Sequence, residues 1–263
     1  MHYPRYLIKE RSTFDPIELA RVTESIVCKH INGVQLRKYD DFYVVWVYNG
    51  VATGYVVGCN LRCYFCWSYI SRDFPERYGT YYSPEEVVTN LRRLVKEYGV
   101  DKVRISGGEP TVSRDHLLQV LELVEQVPEI KLFLLETNGI LLGHDEGYVR
   151  KLAQFRKILV RVSLKAGTPE KFSERTGAKP EFFELPFRAI RHLLKYGVPV
   201  YVAAMTDPRL MSNEERLELM KKLAEIDPDL VKNLEEESVD PYETTLLRLE
   251  AAQVNIPWES LEF

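Results

Sequence analysis

Val51-Ala52-Thr53-Gly54-Tyr55-Val56-Val57-Gly58-Cys59-Asn60-Leu61-Arg62-Cys63-Tyr64-Phe65-Cys66-Trp67 is the stretch that decides the fold. It runs from a short apolar segment straight into a cysteine loop with the spacing C-x3-C-x2-C. An apolar run bounded by a glycine reads as a buried strand, so the thiols sit just past a strand end. Three thiols this close cannot all pair as disulfides, and one loop can wrap them around a single inorganic centre. Thiolates are soft donors that suit iron–sulfur clusters or zinc. A structural zinc site wants four protein ligands, and no further Cys or His follows nearby. A cube cluster on three cysteines leaves one iron open for chemistry. Zinc knuckles and ferredoxin-type electron carriers are the competing readings of such a run.

Working outward, five more apolar runs follow: Lys102 to Ser106, Lys131 to Glu136, Ile158 to Ser163, Val198 to Met205 and Leu230 to Leu234. They are rich in Val, Ile and Leu, as parallel strands covered on both faces are. Helical stretches alternate with them. Ser83-Pro84-Glu85-Glu86 is a capping box with proline at the first turn, Ser212 with Glu215 repeats the box, and Asp15-Pro16, Thr168-Pro169 and Asp240-Pro241 follow the same grammar. Val87, Leu91, Leu94 and Tyr98 share a helical face. So do Leu117, Val120, Leu121 and Val124, and later Phe183, Phe187, Ile190 and Leu194. Six strand–helix units predict an α/β fold, a partial (β/α)6 TIM-like barrel of parallel strands. Residues 1–50 read as an N-terminal extension: a helix from Asp15-Pro16 to about His30, a strand from Asp41 to Tyr48, and an Asn49-Gly50 hairpin signal. The barrel spans 51–263, with its core over about 51–205 and its C-terminal completion beyond.

The chain has 263 residues and a formal net charge of −4. The acidic balance gives no indication of a nucleic-acid surface. No apolar run is long enough to span a bilayer, and the first residues lack the apolar core of a signal peptide. The expectation is a cytoplasmic protein with no membrane partner. Of four cysteines, only Cys28 lies outside the loop, so there is no disulfide framework. Cys28 reads as a small buried apolar residue.

The cysteine spacing, with the aromatic Phe65 before the last thiol, resembles the signature of radical S-adenosylmethionine (SAM) enzymes. The resemblance implies a [4Fe–4S] cluster on Cys59, Cys63 and Cys66, with SAM on the fourth iron. It implies reductive cleavage of SAM to a 5′-deoxyadenosyl radical that abstracts hydrogen from a substrate. It also implies an electron donor such as ferredoxin or flavodoxin. Gly107-Gly108-Glu109-Pro110 matches the Gly-Gly-Glu-Pro motif of that family, which gives Gly107, Gly108 and Glu109 a role on the SAM amino group and Phe65 a contact with adenine. Glu136-Thr137-Asn138-Gly139 and Ser163-Leu164-Lys165 resemble segments of glycyl-radical-enzyme activating enzymes, with Ser163 where those have Asp. That likeness implies that Thr137, Ser163 and Lys165 also hold SAM, Lys165 as a point charge. Glu136 reads alternatively as a strand-end carboxylate paired with Arg161 or Lys131, and Glu235 to Glu237 as a solvated charge run.

The substrate is then a glycine of a partner enzyme or, alternatively, a small molecule, peptide or RNA. From Val202 to Pro208 the chain departs from the activating-enzyme pattern. The absence of further cysteines tells against subgroups with auxiliary clusters. A non-catalytic iron–sulfur or zinc redox module is the reading from a different class.

Overall fold

The computed structural model describes residues 3–7 and 13–258. In chain order the elements are α1 Pro16–Val27, β1 Cys28–Ile31, β2 Val34–Val45, β3 Val51–Val56, β4 Thr80–Tyr82, α2 Pro84–Tyr98, β5 Lys102–Gly107, α3 Arg114–Glu125, β6 Leu132–Thr137, α4 Ile140–His144, α5 Glu146–Leu152, β7 Ile158–Leu164, α6 Pro169–Thr176, α7 Glu184–Lys195, β8 Val200–Met205, α8 Asn213–Ala224, α9 Pro228–Lys232, β9 Glu235–Glu237 and α10 Glu243–Ala251. One 9-stranded sheet runs β1-β2-β3-β5-β6-β7-β8-β9, with β4 on β2. From β3 to β9 every pairing is parallel. The sheet does not close, so it is the open, partial α/β barrel that the alternating runs predict.

Most helix starts follow the predicted capping. Ser83 Oγ accepts from Glu86 N at 3.2 Å while Glu86 Oε2 accepts from Ser83 N at 2.7 Å. Asp15 Oδ1 accepts from Ile17 N and Glu18 N. At Ser212 only half the box forms: its hydroxyl accepts from Glu215 N, but the Glu215 carboxylate turns away to Gly167 N and Arg175. The last helix begins at Glu243, three residues after Asp240, with no side-chain cap. The predicted stripes drift at their ends, leaving Tyr98 and Leu194 exposed while Val95 and Leu193 are buried.

Four expectations are corrected. The first helix stops at Val27, and Cys28–Ile31 is a strand. It pairs with β2 through Asn32 and Gly33, both at positive φ (51° and 79°), the geometry of a tight hairpin turn. The strand predicted from Asp41 therefore starts earlier, at Val34. The run Leu230 to Leu234 is mostly the short helix α9, because Asp227-Pro228 caps it; Asp227 Oδ1 accepts from Asp229 N. The last strand is Glu235–Glu237, the run expected to be solvated.

The two faces of the parallel sheet differ. Val103, Ile105, Phe133, Leu135, Val160, Val162 and Ala204 are buried in the main apolar core with residues of the helices. The alternate positions point to the opposite, inner face. There Arg104 pairs with Glu136, and Arg161 with Glu235 and Glu237. Small barrels usually fill this space with apolar side chains. The segment before Val51 shares both the sheet and the core, through the antiparallel β2–β3 pairing and through Ile17, Tyr39 and Phe42.

Candidate metal and cofactor site

The cysteine loop leaves β3 at Gly58, whose φ of 79° suits glycine. Its backbone is pinned at several points. Gly108 N donates to Val56 O at 2.8 Å and Glu109 N to Gly58 O at 2.9 Å. Arg62 N donates to Thr176 O at 2.9 Å, so the end of α6 supports the loop's middle. From α1, Thr23 Oγ1 donates to Cys59 O at 3.3 Å, while Asn60 Nδ2 donates to Pro16 O at 3.2 Å.

All three thiols of the loop are free. Leu61 N and Asn138 Nδ2 approach Cys59 Sγ at 3.4 and 3.9 Å. Burial pushes the Cys59 thiol up to about 12, helped by the Glu109 carboxylate and by Cys63. Burial likewise pushes Cys63 up to about 11, against the opposing pull of Lys165 and Arg72. Cys66 is different. Burial raises it, but the guanidiniums of Arg72 and Arg248 and a contact with Ser68 Oγ outweigh burial and bring it down to about 7.

Among the described residues no three His, Cys, Asp or Glu side chains converge as the ligands of one metal ion do. A cube cluster needs no such convergence, because each thiolate binds a different iron. Three unpaired thiols on one loop, close enough to sense one another's charge, with N–H donors turned to a sulfur and cations behind them, fit a thiolate-held cluster.

The other predicted loops meet this one at the same end of the sheet. Gly107 and Gly108 are partly exposed. A side chain at Gly108 would stand 2.0 Å from Gly58 O, so that glycine serves the close approach of two backbones as well as any ligand. Glu109 is buried, and its carboxylate braces two loops. Oε1 accepts from Thr111 N, Thr111 Oγ1 and Thr137 Oγ1, and Oε2 from Asn138 N at 2.8 Å. Thr137 Oγ1 also accepts from Gly139 N. Phe65 is buried edge-on against Tyr64. Ser163 Oγ donates to Glu237 Oε2 at 3.0 Å and accepts from Lys165 Nζ at 2.5 Å. Burial raises both Glu237 and Cys63 and the Lys165 charge opposes it at each, with Glu237 lowered on balance.

Glu136 pairs with Arg104 at 3.0 Å and with Ser106, rather than with Arg161 or Lys131. Cys28 is half-buried on β1, with its thiol raised by burial. Sequence reasoning missed Asn138, Ser68, Arg72, Asp73 and Arg248. Asn138 lies inside a motif already singled out; Arg248 has no local signal.

Comparison with known proteins agrees with this geometry. A family model described as the Radical SAM superfamily matches residues 55–224. The GTP 3′,8-cyclase of Clostridium perfringens is 34% identical over 123 residues, which cover 45% of this chain and 35% of that protein. A probable GTP 3′,8-cyclase of Methanocaldococcus jannaschii is 37% identical over 120 residues, covering 45% and 37%. The chain thus spans little more than a third of the length of these curated relatives. Among solved structures, Streptococcus suis SuiB bound to S-adenosylmethionine superposes with a TM-score of 0.58 at 20% identity, over 77% of this chain and 42% of that one. The protein anSMEcpe with bound AdoMet gives 0.53 at 24% identity, over 69% and 49%. These structural likenesses concern the fold.

Proposed function

The chain belongs to the radical SAM superfamily, and from that premise we propose that it couples reductive cleavage of SAM to hydrogen abstraction from a small, polar substrate at the inner face of the sheet. When bound, the [4Fe–4S] cluster and SAM supply a one-electron cleavage that releases methionine and a 5′-deoxyadenosyl radical. The chain's own residues hold, orient and enclose. We assign Cys59, Cys63 and Cys66 to the cluster. Gly107 and Gly108 offer backbone to the SAM amino group. Glu109 Oε2 carries one hydrogen bond, which leaves acceptor capacity for an ammonium. Lys165 supplies a positive charge for a carboxylate, Thr137 and Ser163 offer hydroxyls, and Phe65 shields the site.

One observation carries the substrate reading: at the strand end Lys165 Nζ donates to Ser163 Oγ, which donates in turn to Glu237 Oε2 on a charged inner face. Arg104, Glu136, Arg161, Glu235 and Glu237 form that face, and a polar molecule can exchange with such pairs. A glycine of a partner enzyme brings no charged side chain to engage them, so the small molecule comes first. Nucleotides are the first class to test, given the relatives named GTP 3′,8-cyclase. A ferredoxin or flavodoxin as reductant and a cytoplasmic site of action complete the proposal. Among the described residues no helix is long and apolar enough to cross a membrane.

The test is anaerobic protein with reconstituted cluster, SAM and dithionite, assayed for 5′-deoxyadenosine with and without added GTP. The expected result is basal release that rises with the nucleotide. No release from a fully loaded chain would overturn the catalytic reading; release indifferent to nucleotides but raised by a glycine-containing partner polypeptide would overturn the substrate reading.

A further inference from the structure

Each cysteine carbonyl of the loop accepts a hydrogen bond from a different buried guanidinium. Arg62 Nη1 donates to Cys59 O at 2.7 Å, Arg72 Nη1 to Cys63 O at 2.8 Å and Arg248 Nη1 to Cys66 O at 2.6 Å. Arg62 and Arg72 lie in or just after the loop. Arg248 comes from α10, 182 residues further along the chain and beyond the segment 55–224 that matches the family.

Arg248 spends all five of its N–H groups there. Nη1 also reaches Ser68 O at 2.7 Å, Nη2 reaches Tyr69 O at 3.0 Å and Asp73 Oδ2 at 2.6 Å, and Nε reaches Asp73 Oδ2 at 3.1 Å. The other oxygen of Asp73 accepts from Arg72 Nε and Nη2. Thr245 Oγ1 adds a second donor to Cys66 O at 3.3 Å, and Thr244 Oγ1 reaches Trp67 O at 3.3 Å.

Burying a guanidinium is costly, and apolar replacements of buried ion pairs often stabilise a fold. A leucine at 248 could pack α10 but would leave the buried Asp73 Oδ2 without its partner. What a leucine cannot do is hold three carbonyls of the segment 66–69 and place a permanent positive charge behind Cys66. We infer that Arg248 is a positioning residue for the third cluster thiolate, and that α10 is thereby part of the cluster site. The fork fixes where Cys66 presents its sulfur. The charge favours the more negative, reduced form of a thiolate-held cluster, since cluster potentials respond to surrounding charge. The inference rests on the assignment of Cys59, Cys63 and Cys66 as cluster ligands.

The test uses the full chain, reconstituted anaerobically, as wild type, Arg248→Gln, Arg248→Lys and Thr245→Val. Iron and sulfide per chain, iron loss to a chelator, midpoint potential, and melting of the metal-free protein by circular dichroism are compared. Arg248→Gln is expected to lose iron about tenfold faster and to have a more negative midpoint. Arg248→Lys keeps the charge without the fork, so it holds the midpoint near wild type while still losing iron faster. Thr245→Val leaves the midpoint at the wild-type value and speeds iron loss by only about two- to threefold, the low end for loss of one neutral hydrogen bond. An Arg248→Gln protein with wild-type iron retention and midpoint overturns the inference. If that variant fails to fold, Arg248→Lys decides: wild-type iron retention in it overturns the positioning role. Wild-type protein that takes up no cluster would refute the ligand assignment, and this inference with it.

Discussion

The rim of the sheet and its inner face lie side by side and are built on opposite principles. At the rim, backbone touches backbone. Gly108 N reaches Val56 O, Glu109 N reaches Gly58 O, and the carbonyls of all three cysteines are held. On the inner face, long charged side chains reach across strands; Arg161 on β7 passes β8 to reach Glu235 and Glu237 on β9. A rim made of close approaches has one geometry. A face made of ion pairs has several of similar energy, because side chains can exchange partners. The first suits a fixed inorganic group and the second a substrate that must enter and leave.

Substitutions should separate the two regions. Cys63→Ala is expected to have the largest effect. It removes a proposed cluster ligand, and release of 5′-deoxyadenosine should fall below detection, with the cluster's visible absorption lost. Gly108→Ala comes next. Its new methyl would stand 2.0 Å from Gly58 O, so the rim must shift; chemical denaturation of the metal-free protein should show a loss of about 3 kcal/mol, and cluster uptake should drop with it. Full cluster uptake by Gly108→Ala would break the picture of a rim with a single geometry.

Within the rim, the thiols themselves should differ in the metal-free protein. Cys66 sits at about 7, below its ordinary value, while Cys63 and Cys59 sit at about 11 and 12. A lowered thiol is ionised above its own value and protonates as the pH falls through it. Iodoacetamide at pH 7.5 should therefore label Cys66 at least about tenfold faster than the other two. Its rate should halve near pH 7, as read by mass spectrometry of the peptides. Equal labelling of the three would remove the distinction.

The smallest effect on SAM cleavage is expected from Arg161→Met, on the inner face. Substrate-free release of 5′-deoxyadenosine should stay within about twofold of wild type, because the rim is intact, while any stimulation by substrate is lost. Stability should fall by about 1–3 kcal/mol, less than for a fully buried pair because Glu235 is partly exposed. A collapse of cleavage like that of Cys63→Ala would mean that the two regions are one.

The same contrast explains what the sequence made legible. Cysteine spacing, glycine pairs and proline caps are local demands, written within a few residues of where they act. Hence the loops at 59–66, 107–109, 136–139 and 163–165 are found together at one end of a parallel sheet. Ion pairs are not local. Nothing near Glu136 says that its partner is Arg104 rather than Arg161, and nothing near Glu235 marks a strand. The run Leu230 to Leu234 looks apolar enough for a strand, yet Asp227-Pro228 ahead of it decides for a helix. Arg248 is the extreme case, since its meaning lies wholly in three carbonyls and a carboxylate from another part of the chain.

That distance has a consequence during synthesis. The last cysteine leaves the ribosome 182 residues before the arginine that holds its carbonyl. At cellular translation speeds this is roughly 10 to 35 s. Throughout that interval the nascent loop carries its thiols without their final clamp, open to oxidation or to capture by the wrong metal. Faithful maturation therefore favours loading after α10 has been made and docked.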